Sequence, residues 1–124
     1  MKRTLLLLLL IAGARVAAHH PSGDLYLESQ EITIAGSVDQ CVYREPHTFL
    51  HVVTRDKANR VERWIVEGPG AAAWRRAGIG VDTVKPGDRV TVTGNPGRVP
   101  ADRRLLLKAI ARPQDGWKWS VPAR

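Results

Sequence analysis

Period-two alternation of apolar and polar residues dominates the chain from residue 31 onward. Ile32, Ile34 and Val38 alternate with Thr33, Ser37 and Asp39, the pattern of a strand with one buried face. Gly36 within that run predicts a bend or bulge. After Pro46, residues 47–55 form a second strand, with His47, Phe49, His51 and Val53 on one face and Thr48, Leu50, Val52 and Thr54 on the other. The polar turn Asp56-Lys57-Ala58-Asn59 leads to a third strand over 61–67, and an antiparallel meander is the simplest arrangement of the three.

Gly68-Pro69-Gly70 interrupts the alternation. Residues 71–77, with three alanines, Trp74, Arg75 and Arg76, have the composition of a short helix stopped by Gly78, and Pro69 suits its first turn. The turn Lys85-Pro86-Gly87-Asp88 precedes a fourth strand over 89–94, where Val90 and Val92 alternate with Thr91 and Thr93. A fifth strand over 103–112 ends at Pro113. This order is mainly β and matches an OB-like five-stranded barrel with one short helix between strands 3 and 4, its bent first strand serving both halves of the sheet. An open sheet with a helix packed on it, or another small barrel, has the same order.

The first 18 residues follow other rules. Lys2 and Arg3 precede an apolar run over 5–12, and Val16-Ala17-Ala18 supplies the small residues of a cleavage site, so 1–18 reads as a signal peptide. Arg15 interrupts the run well short of the roughly 20 apolar residues a membrane span needs, which argues against an anchor. The expected organisation is therefore a signal peptide (1–18), an extended arm (19–30), an OB-like barrel (31–112) and a tail (113–124), in a periplasmic or secreted protein. In the tail, Trp117 and Trp119 alternate, so on an extended segment both rings face one way. Such a pair staples a tail to a barrel or, if exposed, forms a stacking platform.

Cleavage would remove Lys2, Arg3 and Arg15, lowering the net charge from +7 to +4. Acids remain interleaved with bases, as in Arg55-Asp56-Lys57, which argues for a solvated mixed surface and against nucleic acid as partner. Cys41 is the only cysteine, so an intramolecular disulfide is excluded, and a small buried apolar side chain is its simplest role. No catalytic constellation is legible. Cys41 and His47 lack an orienting third group, no serine lies in a GxSxG elbow, and Gly68-Pro69-Gly70 lacks the Lys-Ser or Lys-Thr of a phosphate loop.

The four histidines, His19, His20, His47 and His51, offer one sharper reading. Cleavage after Ala18 would make His19 the new amino terminus, where an α-amine and an imidazole can chelate together and His20 adds a second imidazole. Such nitrogen ligands suit copper, zinc and nickel, with copper(II) highest in the affinity order. His47 and His51 would stand about 13 Å apart on an extended strand, too far to share one ion, and His47 at the strand start is the better partner for the arm. The candidate metal ligands are thus His19, His20 and His47. The plainer alternative leaves the arm histidines solvated and His47 bonded to backbone.

Several short stretches together resemble a bacterial family of small exported proteins of unknown function. Its mature sequences open with His-His-Ser-Phe, carry Asn-Pro-His after the first strand, and end their helix in Arg-Arg-Gly-Trp before a Lys-Pro-Gly-Asp turn. The matching stretches here are His19-His20-Pro21-Ser22, Glu45-Pro46-His47, Arg75-Arg76-Ala77-Gly78 and Lys85-Pro86-Gly87-Asp88. The chain departs from the pattern at Pro21, at Glu45 and in Ala77 before Gly78. The resemblance implies export and a barrel-like domain, and it places all three candidate ligands on family motifs without supplying an activity. The expected function is an exported binding module, not an enzyme, with no membrane anchor after cleavage and an unidentified small ligand or protein as partner; copper is the alternative ligand.

Overall fold

The computed structural model describes residues 22–123; the expected signal peptide, His19 and His20 lie outside them. A single helical turn, α1 (Ser22–Leu25), precedes β1 (Ile32–Val42), β2 (Phe49–Arg55) and β3 (Val61–Glu67). A short helix, α2 (Ala71–Arg76), then leads to β4 (Arg89–Pro96), β5 (Arg104–Arg112) and β6 (Trp117–Ser120). The sheet order is β3-β2-β1-β4-β5-β6, and a pairing of β3 with β5 closes the first five strands into a barrel. The OB-like order expected from the sequence is present, with α2 between β3 and β4.

β1 serves both halves of the barrel, as its glycine suggests. Ile32 to Ser37 pair with β4, and Ser37 to Val42 pair with β2. Gly36 lies at the changeover, where an added side chain would run into the Val53 carbonyl oxygen. Closure comes from Ile65, Val66 and Glu67 of β3 pairing in parallel with Arg104, Leu105 and Leu106 of β5. β4 occupies the other edge of β5, so β6 must share the edge used by β3, farther along at Ala109 to Arg112.

The alternation read from the sequence decides what faces inward. On β2, Leu50, Val52 and Thr54 are buried while Phe49, His51 and Val53 stay partly exposed on the outer face. Leu50, Val52, Val66, Val92, Leu105 and Ile110 join a core that Trp74 of α2 extends to Ile79 and Val84. Burying such side chains stabilises the fold by about 1.5–3 kcal/mol each before chain entropy is counted.

The tail contributes a strand that the sequence reading left unassigned. Trp119 of β6 meets Trp74 edge to face, with ring centroids 5.9 Å apart. The Arg112 guanidinium lies 5.3 Å from the Trp117 ring centre and also donates to Asp88 (2.7 Å) and to the Thr83 carbonyl (2.7 Å). The tryptophans therefore staple the tail to the barrel. Cys41 is partly rather than fully buried, packed against the core, and burial pushes its thiol up from the ordinary value.

Candidate functional site

Strand register brings His47 to a carboxylate. Phe49 pairs with Glu67, and beyond the strand ends Thr48 N donates to the Pro69 carbonyl (3.0 Å) while Gly68 N donates to the Thr48 carbonyl (2.8 Å). Two residues before Phe49, His47 projects on the same outer face. Its Nδ1 pairs with Oε1 of Glu67, the two side chains being 36% and 12% exposed.

Glu67 is covered because the N-terminal arm lies over it. The Tyr26 hydroxyl donates to Glu67 Oε2 at 2.5 Å, and Tyr26 is only 1% exposed. Burial, then the hydrogen bond to Glu67 and its negative charge, raise the phenol above its ordinary pKa; Arg104 pulls the other way. Tyr26 is thus held as a neutral donor. A continuous chain results, from the Tyr26 hydroxyl through both oxygens of Glu67 to the His47 ring.

The arm is fastened by backbone and side-chain bonds beside this chain. Tyr26 forms a bridge with Gly97, Leu27 N donates to the Pro96 carbonyl (2.9 Å), and Arg98 N donates to the Leu25 carbonyl (2.9 Å). The Arg98 side chain donates twice to the Gly23 carbonyl, at 2.8 and 3.0 Å. Asn95 Nδ2 donates to the carbonyls of Gln30 (2.6 Å) and Glu28 (3.3 Å). The sequence reading expected an extended arm here; it begins instead as one helical turn and continues as this clasp.

A cavity of about 670 Å³ opens beside His47, bounded by Glu28, Glu67, Asn95 and Lys108 and by Val121 to Ala123 of the tail. Asn95 is 2% exposed, and its two carbonyl partners identify the nitrogen side of its amide. Its Oδ1 then meets no donor among the described residues. An unsatisfied buried acceptor costs about 1–3 kcal/mol, so this atom marks the cavity as built for a hydrogen-bond donor.

Of the candidate ligands, His47 lies at the cavity, and His19 and His20 fall outside the described residues. β2 runs against β3 without a register break from Phe49 to Arg55, so no bulge on that side folds His51 back toward His47. Among the described residues, no group of three His, Cys, Asp or Glu side chains is arranged to hold a metal ion. With Nδ1 turned to Glu67, Nε2 is the nitrogen His47 would present to a metal, and the carboxylate would fix its tautomer and raise its basicity.

Sequence reasoning missed Tyr26, Glu67 and Asn95. A glutamate at a strand end and a tyrosine in an irregular arm carry no local signal. Only the register of β2 against β3, together with the course of the arm, makes them neighbours.

Fold and site together define a small closed β-barrel with a histidine–carboxylate–tyrosine chain on its outer face, roofed by its own N-terminal arm. Residues 7–104 match the model of a family of unknown function (DUF6152), and the chain belongs to that family. The matched stretch takes in the arm, His47, Glu67 and Asn95 and stops where β5 begins. No curated protein matches the chain.

Proposed function

We propose that the domain is an exported binding module for a transition-metal ion, copper(II) foremost, with His47 as the barrel's ligand and His19 and His20 as the arm's. The observation that carries this reading is the Glu67 carboxylate held between the Tyr26 hydroxyl and His47 Nδ1. Carboxylate backing of this kind is the usual environment of a metal-ligating imidazole. His20 precedes Tyr26 by six residues, a span of at most about 20 Å, so the arm histidines are within reach of the site that Tyr26 touches.

One barrel imidazole alone would hold a metal weakly, so the arm must supply the rest. An α-amine and imidazoles form a nitrogen-rich set that favours copper(II). These ligands bind only after losing their protons, so affinity falls as pH falls. The test is calorimetric titration of copper(II) into protein purified after native export, its amino terminus verified by mass spectrometry. One-to-one binding that weakens about 10–100-fold in Glu67→Gln, and further in His47→Ala, is the expected result. Binding no tighter than that of a free peptide with the same first residues would sink the proposal.

A second reading has its own observation. The cavity lies within the roughly 300–1,000 Å³ range of small-molecule sites, so a metal-free module that takes an organic ligand fits its size. Protein that ignores copper but binds a small hydrogen-bond donor at Asn95 would favour it; loss of neither affinity nor site in Asn95→Leu would remove it.

A further inference from the structure

We infer that the cavity's occupant in the metal-free protein is the chain's own processed amino terminus, the segment His19-His20-Pro21. The inference deepens the proposed site and rests on the cleavage after Ala18, but it does not require a metal. Three observations carry it.

The first is where the described arm starts. A methyl group placed on Gly23 would come within 3.8 Å of Glu28 Oε1, and Glu28 borders the cavity. The chain therefore enters its described course at the cavity's rim. The three residues from His19 to Pro21 span at most about 11 Å, a length suited to lying in the cavity rather than crossing the barrel.

The second is charge. The cavity is bordered by the carboxylates of Glu28 and Glu67 against the single ammonium of Lys108. A freshly cut amino terminus brings one α-ammonium, mostly protonated at neutral pH because its ordinary pKa is about 8. Before cleavage the same nitrogen is a neutral peptide amide, which lacks that complementarity.

The third is the orphan acceptor. Asn95 Oδ1 is buried, fixed in direction by the two bonds its nitrogen makes to the arm, and accepts nothing among the described residues. An N–H of the processed terminus is a donor of the required kind. Asn95 would then hold the arm twice, by its nitrogen at Gln30 and by its oxygen at the terminus. Leader removal becomes the step that completes the site, so the uncut precursor has an unfilled cavity.

The test uses the exported, metal-stripped protein with its mass measured first. Nuclear Overhauser contacts from the His19 and His20 ring protons to Leu106 or Val121 methyls are expected. Removal of residues 19–21 should shift the Asn95 side-chain amide and the Lys108 backbone amide while leaving β1 and β2 resonances in place. The clasp from Gly23 to Gln30 stays intact in that variant, so a folded control is available. Histidine signals at free-peptide positions with no contacts to the barrel overturn the inference and leave the copper proposal to its own titration. A mass showing that the mature chain does not begin at His19 overturns both.

Discussion

Replacing Tyr26 with Phe removes one oxygen from a ring that is 1% exposed and leaves its apolar burial in place. The lost contact is a 2.5 Å hydrogen bond to a carboxylate that is itself 12% exposed. Hydrogen bonds to charged groups contribute about 1.5–3 kcal/mol, because a carboxylate deprived of a donor inside the protein cannot recover it from water. For a domain of this size each kcal/mol moves Tm by about 4–8 °C, so the expected fall is on the order of 10 °C. The assay is urea unfolding followed by the fluorescence of the four tryptophans, one of them the buried Trp74. A double-mutant cycle with Glu67→Gln isolates the pair: the two changes together should cost about 1 kcal/mol or more less than the sum of the singles. Additive costs, or a Tyr26→Phe cost below about 0.5 kcal/mol, would refute the claim that the arm is latched through this bond.

Other outcomes follow from the same geometry. Tyr26 has its pKa raised in the folded state by burial and by Glu67, so the folded form holds its proton more tightly than the unfolded one. The stability this contributes is present below the unfolded tyrosine pKa of about 10 and is lost as pH rises above it; phenolate absorbance should lag until the domain opens. Gly36→Ala should cost about 1–3 kcal/mol or prevent folding, since its methyl group would run into the Val53 carbonyl, and a thermal melt reads this directly. Arg112→Met should loosen β6 by leaving Asp88 and Asp115 without their cation, seen as about tenfold faster amide exchange at Lys118 and Ser120.

The barrel was legible in the sequence because alternation is a local signal. Leu50, Val52 and Thr54 announce an inward face wherever the strand finally sits, and Gly36 announces a place where two strands must approach closely. β6 was harder to read, because Trp117 to Ser120 is only four residues long and gains its partners from β5 and its packing from Trp74, forty-five residues before Trp119. The site was harder still. His47 could be singled out by residue type, whereas Glu67 becomes its partner only through the Phe49–Glu67 register, and Tyr26 joins them only because the arm returns along Pro96 and Gly97. Such neighbours are properties of the closed barrel and have no counterpart in a window of sequence.

Both ends of the described chain border one cavity: Gly23 at Glu28 on one side, Val121 to Ala123 on the other. Purification tags are ordinarily attached at such ends because they are assumed to be remote from the working surface. Here an oligohistidine tag after Arg124 would hang extra imidazoles beside His47, and one placed ahead of His19 would bury the amine within a longer peptide. Either version would report on the handle rather than on the protein, so an unaltered chain, or a tag carried in an exposed turn such as the one at Lys57 and Ala58, is what a faithful metal titration needs.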